Sequence, residues 1–439
     1  MSINRRDLIR TTAGLAVGAA SAGLIGASAA RAEDSFDIKP EKGASLRVTR
    51  WSPFVSGDEK QWLANTQQFT KDTGIEVRID KESWEDIRPK AAVAANVGSG
   101  PDIMWVWFDD PQQYPDKLLD VTDLANYLGN KYGGWYDGPK AYATNDGKFV
   151  GLPIATIGNA IVYRKSIVEK AGFSEFPKDT DGFLKLCQAL KSKGLTPAGF
   201  THGHGVGDGN NYAHWLLWSH GGAMVDEKSN VTIDSPESIE AIKYAAELYK
   251  TFIPGTESWL DVNNNRAFLA GKVSVIANGV SVYYSAASDP KLKAIADDIG
   301  TTNLPVGKSG KDVELHQVTS AVIFKYTKYP NAAKLYLKYM FEKPQMSKWI
   351  ESSSAYCCQT LKAYADNPIW TANPVFAPYA KASETLRTNG YAGPLGPASA
   401  GVMADYVLVD MFAEAVTGQQ SPKQAAARAA ERAKRYYKS

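Results

Sequence analysis

The sequence predicts an α/β protein whose sheet is parallel and covered by helices on both faces. Three observations carry this. Between residues 46 and 107 the period of the apolar residues switches repeatedly, giving strand, helix, strand, helix, strand. The 439 residues suffice for two or three domains or one large two-lobed body. The composition, 44% hydrophobic and 22% charged, is that of a globular chain with ample core.

Taken in order, Leu46-Arg47-Val48-Thr49-Arg50-Trp51 alternates apolar and polar as a half-buried strand does. A helix follows from Glu59 to Asp72 and stops at Thr73-Gly74, where glycine accepts the left-handed conformation. Ile75 to Ile79 is the second strand, Asp86 to Asn96 the second helix, and Gly98-Ser99-Gly100-Pro101 breaks it before the apolar strand Ile103 to Trp107. The chain is then extended through Asn159-Ala160-Ile161-Val162-Tyr163. Helical patterns cover Asp181–Lys193, Tyr212–His220 and Ser235–Thr251, the last with Pro236 at its first position. Ala267 to Ala277 reads as helix end, Gly-Lys turn and buried strand. Val318–Lys325 is a further strand, Asn331–Phe341 its helix, and Gly401–Lys438 is mostly helical.

The first residues read as an export signal. Asn4-Arg5-Arg6-Asp7-Leu8 precedes a soft apolar run from Ala13 to Ala30, and Ala30-Arg31-Ala32 offers a small-x-small cleavage site after Ala32. The paired arginines resemble the twin-arginine signal for export of folded proteins to the periplasm. The segment 1–32 holds four arginines against Asp7, so its removal takes the formal charge from +2 to about −1. A near-neutral surface provides no general footprint for nucleic acid. No later stretch approaches the roughly 18 apolar residues of a membrane helix.

The order of motifs along the chain resembles that of the maltose-binding-protein-like solute-binding proteins that feed bacterial sugar ABC importers. The matching stretches are Phe69-Thr70-Lys71-Asp72-Thr73-Gly74-Ile75, Gly98-Ser99-Gly100-Pro101-Asp102, Gly147-Lys148-Phe149-Val150-Gly151-Leu152-Pro153 and Val162-Tyr163-Arg164-Lys165. They continue with Phe268-Leu269-Ala270-Gly271-Lys272 through Asn278-Gly279, then Leu304-Pro305, Pro330-Asn331-Ala332-Ala333 and Ala415-Val416-Thr417-Gly418. The resemblance implies a two-lobed periplasmic-binding-protein fold (type II). One lobe would be 45–157 plus 319–358, the other 158–318 plus 359–439, with crossings near Ala155–Asn159, Val318–Ser320 and Cys358. It further implies a monomer without cofactor, metal or catalysis, whose partners are a sugar or polyol and the permease subunits of an importer. Two places depart from the pattern: Tyr356-Cys357-Cys358-Gln359, and Val280-Ser281-Val282-Tyr283-Tyr284 after Asn278-Gly279.

Ligands of such sheets bind beyond the carboxyl ends of strands, which directs attention to particular side chains. Trp51 and Trp107 end strands, Trp84 lies between strand and helix, and Tyr212 and Trp215 lie on a helix; an indole covers the apolar face of a sugar ring. Asp109 and Asp110 follow the third strand and would accept hydroxyl donors, although Asp110 before Pro111 also reads as a helix cap. Asn159, Asn211, Asn278 and Tyr283 join them by position in the resemblance. Adjacent Cys357 and Cys358, placed at the third crossing, are expected to form a strained vicinal disulfide that lines the cleft, with Cys358 against ligand.

Two other functions fit the same residues. An aromatic cage would hold a quaternary amine. A glycoside-processing enzyme would need two carboxylates across a bond, which the neighbouring Asp109 and Asp110 are poorly placed to provide. His202-Gly203-His204 reads as a polar loop, since ligation needs three or four converging donors. The glycines at 203, 205, 207 and 209 follow no clear strand, as a dinucleotide fingerprint requires.

Overall fold

The computed structural model describes residues 36–312 and 314–438; the expected export signal, 1–32, lies outside the described residues. A five-stranded sheet is built from β1 (Ser45–Trp51), β2 (Glu76–Glu82), β3 (Ile103–Trp107), β4 (Leu152–Ile157) and β8 (Gln317–Ile323), in the order β2-β1-β3-β8-β4. A three-stranded sheet holds β5 (Ala160–Arg164), β6 (Val275–Asn278) and β7 (Ile299–Thr302), in the order β6-β5-β7. The protein is thus α/β and two-lobed. The larger sheet is mixed, not wholly parallel as the sequence pattern predicts: β1 pairs β2 and β3 in parallel, whereas β8 runs antiparallel to β3 and β4. In the smaller sheet β5 runs antiparallel to both β6 and β7. The strand β7 carries too short an apolar pattern to stand out in the sequence.

The helices α1 (Ser56–Thr73) and α2 (Ile87–Val97) follow β1 and β2, and each stops at a glycine in the left-handed conformation, Gly74 and Gly98. Further on, α3 (Asp208–Ser219) and α4 (Pro236–Tyr249) cover the smaller sheet's lobe. Ser235 caps α4 by accepting from Ser238 N. In the larger-sheet lobe α5 (Pro330–Phe341) and α6 (Lys343–Ser352) pack on α1.

Between β1, α1 and α6 lies a buried charge. Arg50, fully enclosed, pairs with the equally enclosed Asp58 on α1. The guanidinium carbon sits 4.3 Å from the Trp105 ring centroid, 4.9 Å from Trp51 and 5.9 Å from Trp62. The second oxygen of Asp58 accepts from Trp349 Nε1 of α6 at 2.7 Å. Trp62 Nε1 donates to Tyr336 Oη of α5 at 2.9 Å. Four of the chain's eleven tryptophans, Trp51, Trp62, Trp105 and Trp349, are therefore consumed here, in core.

A buried pair broken on one side leaves a stranded charge, which costs about 3–5 kcal/mol. Asp58→Asn keeps an acceptor for Trp349 but removes the anion opposite Arg50, and denaturant unfolding should show a loss of that size. A change below about 1 kcal/mol, as for an exposed pair, would refute the role given to Arg50.

Candidate functional site

Where β4 gives way to β5 the chain passes between the sheets through Gly158 and Asn159. Asn159 N donates to His316 Nδ1 at 3.0 Å, tying this crossing to the residue before β8. A cavity opens beside these two segments, with about 350 Å³ of empty space between its lining atoms and at its mouth. Its two walls differ in chemistry.

The first wall is aromatic. Phe54 meets Trp84 edge to face at 5.3 Å between centroids, and Tyr356 lies 6.3 Å from Phe54; all three line the cavity. Trp84 rests on Trp107 at 4.0 Å, and Trp107 Nε1 donates to Trp84 O at 3.1 Å. Tyr356 is presented by two residues in the left-handed region, Ser354 (φ 52°) and Ala355 (φ 65°), a conformation that L side chains adopt at a cost. Burial first, then the neighbouring Cys357 and the carboxyls of Asp58, Asp208 and Asp261, push the Tyr356 phenol well above its ordinary range, so it is a neutral donor.

The second wall is polar. α3 points its N-terminus at the cavity, so Asp208 and Asn211 of its first turn reach the lining. Asp261 accepts from the backbone N–H of Asp208 at 2.7 Å and of Gly207 at 3.1 Å, capping this helix from outside. A Cβ on Gly207 would run into the side-chain amide of Gln317, which lines the cavity from the other lobe. Asp208 Oδ2 accepts from Asn264 Nδ2 at 2.6 Å, Asn264 Oδ1 from Asn278 Nδ2 at 3.0 Å, and Ser281 Oγ from Asn265 Nδ2 at 3.2 Å. Burial first, and the Asp261 carboxylate second, push Asp208 well above the usual carboxylate range; burial raises Asp261 likewise. Outside the lining, Ser56 Oγ of one lobe and Tyr284 Oη of the other meet at 2.6 Å.

Of the residues singled out in the sequence, Trp84, Asn159, Asn211 and Asn278 line this cavity. Others do not reach it. Trp51 and Trp107 stand at strand ends as expected but one layer too deep, beneath Trp84. Trp215, 1% exposed, lies two helical turns along α3, about 10 Å from Asp208. There Trp215 Nε1 donates to Pro305 O at 2.9 Å, and the ring packs with Phe183, Tyr212 and Tyr244 in the lobe's core; Tyr212 is buried with it. Asp110 accepts from Trp107 N and pairs with Arg88 Nε at 2.5 Å, while Asp109 accepts from Asn389 Nδ2. Burial, against the pull of Arg88, pushes Asp109 up to about 6. Tyr283 Oη accepts from Asn373 Nδ2 at 2.6 Å, away from the cavity.

The expected vicinal disulfide is corrected too: Cys357 and Cys358 are free, buried thiols. Cys358 exchanges both backbone hydrogen bonds with Thr156, in extended pairing that sends successive side chains to opposite sides. The Cys357 thiol consequently sits near Asp58 and Arg50, while Cys358 Sγ donates to Ala380 O at 3.5 Å. Burial raises both, Cys358 to about 11. His202 is buried with Nδ1 near Phe200 O, and His204 stacks on Tyr406, so the two histidines diverge. The lining residues that sequence reasoning missed are Phe54, Asp208, Asp261, Asn265, Ser281, Gln317 and Tyr356. Of these, Tyr356 and Ser281 lie in the two stretches that depart from the family pattern, which is the signal the sequence held.

Three comparisons bear on this arrangement. A family model described as bacterial extracellular solute-binding protein matches residues 64–378. A binding protein of Brucella abortus (strain 2308) is 24% identical over 291 residues, covering 64% of this chain and 67% of its own. Among solved structures, maltose-bound MalE3 of T. maritima matches with a TM-score of 0.77 at 20% identity, over 89% of this chain and 99% of that one. An ABC transporter solute-binding protein of Agrobacterium radiobacter K84, in complex with ribitol, matches at 0.75 and 18%, over 90% and 100%. At these identities the structural likeness speaks to fold.

Two outcomes check the placements. Trp215→Ala should lower stability by about 3–5 kcal/mol, as loss of a buried indole does, measured by denaturant unfolding; an unaffected fold would return Trp215 to the surface of the cleft. Alkylation of the unfolded protein without reductant should add three labels by intact mass, one for each cysteine. Two labels that appear only after reduction would restore the disulfide.

Proposed function

The chain belongs to the bacterial extracellular solute-binding proteins, and we propose that it captures a sugar or polyol between its lobes for the permease of an ABC importer. The observation that carries this reading is the division of the cavity into an aromatic wall and an amide-and-carboxylate wall. A sugar or polyol has the matching halves: C–H faces that lie on rings, and hydroxyls that seek polar partners. The matched structures whose bound solutes are maltose and ribitol support the same chemical class. In this reading Trp84 is the stacking platform and Asn159, Asn211 and Asn278 meet hydroxyls. The protein works in the periplasm after cleavage of the signal, as a monomer, and returns its solute unaltered.

The lobes of this reading follow the expected limits with one adjustment. Tyr364 Oη donates to Phe341 O at 2.7 Å and Asn367 Nδ2 to Ser347 O at 3.3 Å, on the first lobe. The bond from Asn373 to Tyr283 belongs to the second. We therefore set the third crossing between Asn367 and Asn373, not at Cys358. Closure about the three crossings traps the solute.

A thermal-shift screen over sugars and polyols tests the reading, since a solute bound by the native state raises apparent stability. With a hit in hand, Trp84→Ala should weaken binding at least tenfold, about 1.4 kcal/mol, by titration calorimetry. Small-angle scattering should show a smaller radius of gyration at saturation. Sugars and polyols that all leave the melting temperature unmoved would sink the proposal, as would recovery of a chemically altered solute.

A further inference from the structure

Resting on that reading, we propose that the solute carries a protonated amine as well as hydroxyls, as an amino sugar or an amino polyol does. The cavity is supplied with acceptors and short of positive charge. Asp208 and Asp261 both line it, and among the described residues neither has an ion-pair partner. Asp261 is answered in part by the N–H groups at the start of α3, whose dipole favours an anion there. Asp208 receives one neutral amide, Asn264, at a single oxygen. A second, independent observation points the same way. Asn159 and Asn211, 5% and 4% exposed, both line the cavity, and the Oδ1 of each has no hydrogen-bond partner.

The surroundings do not supply the missing cation. The titratable groups that face the pair are Tyr356 from the aromatic wall, Glu85 beside Trp84, and Tyr406. Asp58 and Cys357 lie behind Tyr356. Arg88, which faces Tyr406, is already engaged by Asp109 and Asp110. An uncompensated carboxylate in a closed, partly desolvated space is matched by an ammonium whose N–H groups donate to it and to the free amide oxygens. Trp84, Phe54 and Tyr356 add ring faces that attract a cation. Among the described residues no three His, Cys, Asp or Glu side chains converge as a metal site would need. An organic cation therefore fits better than a metal ion.

Matched pairs of probes test this on the intact chain by titration calorimetry: D-glucosamine against D-glucose, and D-glucamine against sorbitol. At pH 7 the amine of at least one pair should bind tenfold or more tighter than its neutral partner, and Asp208→Asn should erase that difference between the two members of the pair. Ammonium binding needs ionised carboxylates, so affinity for the amine should rise from pH 5 to pH 7 while that for glucose stays flat. Equal affinity within both pairs, or preference for the neutral member, overturns the amine while leaving sugar capture standing. Silence from all four probes also overturns it, and the neutral-solute screen then judges sugar capture separately. Choline, charged but without N–H donors, should bind more weakly than the amines; tighter binding of choline would overturn the proposal in favour of an aromatic cage.

Discussion

The guanidinium of Arg50 is the constraint from which the first lobe takes its shape. Enclosing a charge costs several kcal/mol unless a counter-ion and well-placed neighbours answer it. Here Asp58 supplies the anion, and Trp51, Trp62 and Trp105 supply ring faces. That demand explains why large flat side chains crowd β1, β3 and α1. It also reaches the cleft. The remaining oxygen of Asp58 holds Trp349, Trp349 fixes α6, and α6 runs out into the left-handed turn that delivers Tyr356 to the cavity. The aromatic wall is thus positioned from behind by a buried ion pair that touches no solute.

That layering marks where the sequence stops being legible. The succession from β1 to β3 can be read because each element imposes its own period on the apolar residues. Period places Trp51 and Trp107 at the carboxyl ends of strands, where they are found. It cannot say that a third tryptophan from the loop after β2 lies on top of them. Trp215 failed for a related reason: a helix that presents its N-terminus to a cavity contributes its first turn and carries the rest into the core. Asn159, Asn211 and Asn278 were reachable through position in the resemblance, and in the structure they stand at a crossing, a first helical turn and a strand end.

Asp208 and Asp261 were hidden differently. They are far apart in sequence, each in a stretch that reads as loop, and they meet only because Asp261 caps the helix that Asp208 opens. The cysteine pair shows the converse limit. Two adjacent thiols suggest a bond, yet extended pairing with Thr156 turns their side chains apart, and this depends on a partner strand some two hundred residues away.

The two walls carry opposite energetic burdens. The ring faces of the aromatic wall are packed without a solute, since Trp84 rests on Trp107 and Phe54 on Trp84, although Trp84 Nε1 lacks a hydrogen-bond partner. The polar wall is not satisfied. Two carboxylates repel each other, and buried amide oxygens of Asn159 and Asn211 go unmatched. A buried polar group left unsatisfied costs about 1–3 kcal/mol. On the proposed closure, parting the lobes would let water reach those groups, so an open form would gain where the closed form loses. A solute whose donors replace that water removes the penalty from the closed form alone. Differential free energy of this kind is what a ligand needs in order to shift a conformational equilibrium. In the proposed reading, the frustration of one wall, held against the rigidity of the other, couples closure to capture.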